Sequence, residues 1–378
     1  MSTIILFGGA FNPVHTSHVA LARAAVNAYH PQKLIVIPTA ISPHKSGCLP
    51  APAEDRLNMC RQAFGDIPCA EVSDFELSSG GVSYSYITCE HFRALYPNSR
   101  ILFLMGGDML ASFGSWKYPG RILASATLVA GARKGARDIK KSSEEVEKTF
   151  GCNIDLLEYA ADDVSSTRIR VLAALGEDFS AYVLPTTWQY INERGLYRNS
   201  LLCSAKTFEK PSRWAHSVRV AVMCAAYAGR AHLSESDAVT MAALHDVSKN
   251  LPADSACLAG FVPPAGVPSP VMHQFSGAYV AEHTFGLKDE VLLNAIRYHT
   301  SGRAGMSEAE MLLYLCDMLE EGRDFKGVNK LRKIFQERSL AYAMYAALEH
   351  QINYLNEEEG DIYPLTKQAY LYYKELLT

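Results

Sequence analysis

The chain reads as a Rossmann-like α/β unit with a doubly wound parallel sheet, followed by an all-α helical bundle. Three observations predict this. Short apolar runs alternate with helical spacing through the first half, and a Gly-Gly turn follows the first run. After about Leu202 the strand-like runs vanish, and Ala, Leu and Met recur at helical spacing.

Element by element, Ile4 to Phe7 is the first strand, and Val19 to Tyr29 is helical, with Leu21, Ala25 and Ala28 on one face. Lys33 to Pro38 is a second β-rich run, so the opening is a βαβ unit. Ile101 to Met105, Thr127 to Ala130 and Ile154 to Tyr159 are further strands, and Thr187 to Arg194 is a helix that Gly195 stops. In the second half Ser307-x-x-Glu310 has the form of a capping box, and Ser234-x-x-Asp237 is a weaker helix start. The polar stretch Arg198 to Lys210 divides the chain into domains at 1–200 and 206–378.

A chain of 378 residues exceeds one ordinary domain, and 48% hydrophobic with 20% charged residues excludes a disordered or fibrous protein. Nothing approaches the roughly 18 apolar residues of a membrane helix. Met1-Ser2-Thr3 is no basic leader, so no signal peptide is expected. The nine cysteines are scattered without a CxxC pair, as in a reducing cytoplasm. A net charge of −4 argues against a nucleic-acid partner. The expectation is a cytoplasmic protein without a membrane partner.

Gly8-Gly9-Ala10-Phe11-Asn12-Pro13-Val14-His15-Thr16-Ser17-His18 leaves the first strand and opens the first helix. Glycines there let the backbone approach phosphate, and the helix N-terminus offers unpaired N–H groups. His15 and His18 can both face a triphosphate. The run has neither GxGxxG nor GxxxxGK[ST], which demotes a dehydrogenase or a P-loop ATPase. It resembles the GGxFxPxHxGH block of the HxGH nucleotidylyltransferases, specifically the nicotinate-nucleotide adenylyltransferases. Pro43-His44-Lys45, Ser83-Tyr84-Ser85, Gly106-Gly107-Asp108 with Trp116, and Val164 to Arg170 are similar to that family's later blocks, in order. Ser17, a residue type that caps helices, stands where the family has glycine.

The resemblance implies transfer of AMP from ATP to nicotinate mononucleotide, giving deamido-NAD and pyrophosphate, with Mg²⁺ arriving on ATP. It implies His15, His18, Lys45 and Arg168 as the catalytic set. It also implies Gly8, Gly9, Phe11, Tyr84, Ser85, Gly107, Asp108, Trp116, Ser166 and Thr167 as the ATP and mononucleotide contacts. Nicotinate rather than nicotinamide rests on the resemblance alone.

In the helical half, His245-Asp246 interrupts an apolar helix, where charge is costly unless paired or bound to metal. Alone, such a pair is more often a satisfied core histidine. His216, His273, His299 and Asp317 lie on separate segments and can converge with it as N/O ligands, a set suited to iron or manganese. His232, His283 and His350 lack such a setting and read as surface or structural. The order H…HD…D resembles the HD-domain phosphohydrolases. Arg213-x-x-His216-Ser217, His245-Asp246-x-x-Lys249, His299-Thr300-x-Gly302 and Asp317-x-x-Glu320-x-x-Arg323 are similar to the bacterial symmetrical diadenosine tetraphosphatases of that superfamily. That resemblance implies His216, His245, Asp246 and Asp317 as ligands of a divalent metal, Fe or Mn, with Asp246 also catalytic. Lys249, His273, His299, Thr300 and Arg323 would then hold substrate, diadenosine tetraphosphate, which is cleaved to two ADP. Hydrolysis of another nucleotide, or a non-catalytic regulatory role for one half, are the alternatives.

Overall fold

Ile4, Ile5 and Leu6 are wholly buried in strand β1 (Thr3–Gly9), the first of six parallel strands. The computed structural model describes residues 2–41, 51–133, 138–358 and 360–377. The other strands are β2 (Lys33–Pro38), β3 (Ala70–Val72), β4 (Arg100–Gly106), β5 (Thr127–Arg133) and β6 (Ile154–Tyr159), in the order β3-β2-β1-β4-β5-β6. This is the doubly wound order, and its direction reverses at β1. Central strands covered on both faces must be apolar throughout, which is why β1, β2 and β4 read as unbroken hydrophobic runs. The first helix, Thr16–Tyr29, follows β1. Helix Pro185–Arg194 ends at Gly195, which adopts φ 60 in the left-handed region.

The chain divides into two compact units, Met1–Ile169 with Asp178–Tyr197, and Arg170–Glu177 with Arg198–Thr378. The sequence placed residues 170–177 and 198–200 in the first domain, whereas they pack with the second unit. Val171 and Leu175 share one apolar core with Leu202, Ala205 and Trp214. Arg170 is buried and donates from Nε to Glu235 Oε1 at 2.7 Å, and Trp214 Nε1 donates to Glu177 Oε1 at 2.8 Å. A polar loop therefore marked only one of the crossings.

The second unit contains no strand among the described residues. Its principal helices are Pro211–Tyr227, Glu235–Leu244, Ser269–His283, Glu290–Tyr298, Glu308–Leu319, Val328–Glu337, Leu340–Glu357 and Pro364–Leu376. The capping box forms as expected: Glu310 N donates to Ser307 Oγ at 3.3 Å, and Ser307 N to Glu310 Oε2 at 2.8 Å. Ser234 Oγ caps its helix through Asp237 N at 3.0 Å. No helix among the described residues is long and apolar enough to cross a membrane.

Candidate active sites

In the first unit a cavity of about 580 Å³ opens at the carboxyl ends of the central strands, where a doubly wound sheet binds ligands. Gly8 and Gly9 end β1, and Gly106 ends β4, so the strand termini themselves form its floor. His15 and His18 enter from the first helix with their rings stacked, centroids 3.6 Å apart at 25°. His18 Nδ1 accepts the backbone N–H of His15 at 3.2 Å. In the neutral ring that leaves Nε2 as the protonated nitrogen, a donor suited to phosphate oxygen.

Tyr84, Ser85, Asp108, Trp116 and Ser166 line the same cavity. Trp116 Nε1 donates to Ser112 Oγ at 3.3 Å, which fixes the plane of the indole. Ser166 spends its hydroxyl on Pro13 O at 2.9 Å and so ties the helix Ser166–Ala174 to the His15 turn. Phe11, Gly107, Thr167 and Arg168 are not among the lining residues. Phe11 is a buried brace whose ring centroid lies 5.0 Å from that of His18. Gly107 serves close packing, since a Cβ there would come within 2.7 Å of Gly131 O. Arg168 holds its guanidinium carbon 5.7 Å from the ring centre of Tyr182. Lys45 lies outside the described residues.

Ser17 does not cap the helix; His15 holds the cap position. Ser17 is buried, and its Oγ lies 3.3 Å from Tyr159 OH, also at the cavity. Four lining or bracing residues escaped sequence reasoning. Lys117 Nζ sits 4.2 Å from the ring centre of Tyr84 and brings a positive charge. Glu76 is buried, accepts from Thr88 Oγ1 at 2.5 Å, and is pushed above the usual carboxylate range by burial. Buried Arg56 clamps Ala10 O at 2.9 Å and Thr39 O at 2.6 Å, bracing the turn after β1. The fourth is Tyr159. Each is a single residue on its own segment, without a motif to flag it.

In the second unit the structure brings His216, His245, Asp246, His273, His299 and Asp317 together from separate helices and their ends. Donor atoms of His216, His245 and Asp317 lie within 4.8 Å of one another, as do those of His245, Asp246 and His299. His245 Nδ1 faces Ala242 O at 2.6 Å, and His299 Nδ1 faces Ile296 O at 2.8 Å. Each backbone carbonyl takes the Nδ1 proton and leaves the Nε2 lone pair for a metal. His216 is oriented by a carboxylate: its Nδ1 lies 3.0 Å from Glu320 Oε1, while its Nε2 lies 2.9 Å from Asp317 Oδ1. Arg219 in turn holds Glu320 Oε2 at 2.6 Å.

The donor set fits a divalent cation. His245 Nε2 is buried with no hydrogen-bond partner, and it lies 3.5 Å from Asp246 Oδ2 and 3.9 Å from Asp317 Oδ1. Burial alone would push His245 down, but Asp246 and Asp317 outweigh it and carry the imidazole up to about 9. Burial pushes His299 down to about 4. Burial works to raise Glu320, yet its hydrogen bonds to His216 and Arg219 hold it down at about 2. Lys249 Nζ reaches both Asp246 oxygens at 3.2 Å, Arg213 Nη1 reaches Oδ2 at 3.0 Å, and Arg323 Nη2 reaches Asp317 Oδ1 at 2.6 Å. Thr300 Oγ1 lies 3.0 Å from His273 Nε2. His232 and His283 are exposed or half-exposed, as expected. His350 departs from that expectation and lines a cavity beside Asp317.

Comparison with known proteins places these two sites in context. Residues 6–172 match the cytidylyltransferase-like family, and residues 213–325 match the HD domain. A Mycoplasma pneumoniae protein described as "Probable nicotinate-nucleotide adenylyltransferase/Ap4A hydrolase" is 30% identical over 351 residues, covering 89% of this chain and 96% of that protein. A Clostridium tetani protein described as "Probable nicotinate-nucleotide adenylyltransferase" is 35% identical over 195 residues, 51% of this chain and 98% of that one. A Clostridium acetobutylicum crystal structure described as that of a "predicted HD superfamily hydrolase involved in NAD metabolism" matches with 28% identity and a TM-score of 0.44. It covers 47% of this chain and 97% of that chain.

Proposed function

The chain belongs to the family that joins a cytidylyltransferase-like unit to an HD unit, and from that premise we propose a bifunctional nucleotide enzyme. Its first unit transfers AMP from ATP to nicotinate mononucleotide. Its second hydrolyses diadenosine tetraphosphate to two ADP. The observation that carries the reading is the full-length relative of that double name, which this chain matches over 96% of its length.

In the first reaction the 5′-phosphate oxygen of the mononucleotide attacks the α-phosphorus, and the bond to the β-phosphate breaks to release pyrophosphate. No protein nucleophile is needed, so catalysis is positioning and charge stabilisation. His18 offers its Nε2–H to the triphosphate, and His15, stacked on it, keeps the ring in place. Gly8 and Gly9 let the chain approach the phosphates, and Lys117 adds positive charge at the rim. Trp116 presents an indole edged by Phe103 and Phe113 to the pyridine ring. Mg²⁺ arrives with ATP.

In the second reaction His216, His245, Asp246 and Asp317 would hold the metal, which supplies Lewis-acid polarisation of a phosphoryl oxygen and a water activated at neutral pH. Glu320 keeps the Nε2 of His216 turned inward. Arg323 and Lys249 stand where they can neutralise polyphosphate oxygens, and His273 and Thr300 add donors beside them.

The test is a substrate panel on the full chain. With ATP and Mg²⁺ it should form deamido-NAD from nicotinate mononucleotide faster than NAD from the amide. With Fe²⁺ or Mn²⁺ it should cleave diadenosine tetraphosphate to ADP alone. AMP and ATP as products, or no cleavage with either metal, would overturn the second half of the reading. No dinucleotide from either mononucleotide would overturn the first.

A further inference from the structure

Arg56 lies in the helix Ala53–Phe64 of the first unit and is only 2% exposed, so its charge is nearly cut off from water. Its guanidinium collects backbone carbonyls from three segments. Nη1 donates to Ala10 O at 2.9 Å and to Thr39 O at 2.6 Å, Nη2 to Ala40 O at 3.4 Å, and Nε to Ala51 O at 3.2 Å. These acceptors stand just after β1, just after β2 and just before the arginine's own helix. Ala10 and Thr39 line the 580 Å³ cavity and Arg56 does not, so the guanidinium sits directly behind the cavity wall. All four acceptors are neutral peptide oxygens. Among the described residues no carboxylate pairs with Arg56, and adjacent Asp55 is committed to Tyr190 OH at 2.8 Å and Arg194 Nε at 3.2 Å. A guanidinium does not shed its proton inside a protein, so a full positive charge stays there.

We infer that Arg56 is a positioning residue for adenylyl transfer, the built-in counter-charge of the triphosphate, acting through the Gly8–Ala10 wall without touching substrate. The inference rests on the adenylyl-transfer reading of this cavity. Three observations support it. The first is cost: a buried charge without an ionic partner is expensive, and neutral donors could serve the same carbonyls. A triphosphate on the other side of the wall supplies the missing partner. The second is the lining itself. Lys117 is the one Lys or Arg among the described lining residues, and it lies against Tyr84 at the rim, so the His15–His18 turn has no lining cation of its own. The third is the direction of the peptides. A trans peptide sends its N–H opposite to its C=O. Holding Thr39 O turns the Ala40 N–H to the far side, where it donates to Ser83 Oγ at 2.9 Å. Holding Ala10 O likewise turns the Phe11 N–H away from the guanidinium, at a residue whose φ of 44 lies in the left-handed region. Field and peptide orientation therefore act in the same sense at the phosphate turn. A charge felt through the wall does not need the exact fork of a guanidinium, so a lysine can replace it and a neutral side chain cannot.

The test titrates the full chain with ATP and Mg²⁺, with inorganic pyrophosphate and with adenosine, comparing wild type with Arg56→Gln, Arg56→Met and Arg56→Lys. Either neutral variant should bind ATP and pyrophosphate about tenfold more weakly and adenosine as wild type does. Arg56→Lys, which keeps the charge and loses the fork, should bind ATP within about threefold of wild type. A neutral variant that weakens ATP and adenosine alike would show a merely structural brace and overturn the inference. Wild-type ATP affinity in a neutral variant, or a lysine variant no better than the neutral ones, would overturn it too. If neither neutral variant melts cooperatively, Arg56 is a folding residue and the inference fails. If wild type prefers ATP to adenosine yet forms no dinucleotide, the adenylyl-transfer reading falls, and the ratio of ATP to adenosine affinity across the variants still decides the role of Arg56.

Discussion

The two sites reach their chemistry by opposite routes. The first is assembled largely from one contiguous turn: β1 ends, Gly8 and Gly9 open the backbone, and His15 and His18 follow within the same helix start. The second has no such turn. Its candidate ligands come from different helices, and three histidines of the cluster are each aimed by a neighbour: Ala242 O for His245, Ile296 O for His299, Glu320 for His216. A phosphate site can be made of backbone and two rings, because a dispersed anion tolerates imprecise placement. A metal site needs each lone pair turned inward, so its supports matter as much as its ligands. The first should therefore tolerate charge-preserving substitution of its surroundings, and the second should not.

The largest expected effect is at Asp246. Asp246→Ala removes a ligand and leaves His245 and Lys249 without their shared counter-charge, so bound metal and hydrolysis should both fall below detection. Metal analysis and an ADP-release assay read this directly. Next is His18→Ala, which should lower kcat for adenylyl transfer by about 10²–10³, the usual cost of losing one transition-state donor. Metal content should not change. Third, Glu320→Gln should weaken manganese affinity by about 10–100-fold, with every ligand still present. Equal affinity in a competition titration would show that His216 needs no support.

Two smaller effects sharpen the contrast. Ser17 is helical, so Ser17→Gly should cost stability, about 0.5–1 kcal/mol, rather than relieve strain. A higher melting temperature would show that the turn prefers glycine. Burial raises the folded pKa of Glu76 above its unfolded value. Its contribution to stability is present in full below the ordinary glutamate pKa and is lost as pH rises through the folded value. Glu76→Gln, which keeps an acceptor for Thr88, should therefore gain on wild type as pH rises and show no advantage in acid. Denaturant midpoints across pH 4–8 would check the sign.

Much of this was legible in the sequence, for a physical reason. Central parallel strands are buried on both faces, so β1, β2, β4 and β5 print themselves as apolar runs; three-residue, half-exposed β3 does not. The capping box at Ser307 was visible because its chemistry is local. The chain's division was less legible, since Val171 and Leu175 declare no allegiance until Leu202 and Trp214 pack on them. His15 and His18 stood out as neighbours. Glu76, Lys117 and Tyr159 did not, because only the fold brings them to one cavity. His350 looked idle for the same reason, since only the fold brings it to a cavity beside Asp317.

The central claim is that one chain holds two chemically separate nucleotide sites, and it is tested most directly by assaying both reactions on His18→Ala and Asp246→Ala. The account predicts that the first variant loses adenylyl transfer and keeps metal and hydrolysis, while the second loses metal and hydrolysis and keeps transfer. A fall of both activities in either variant would contradict it.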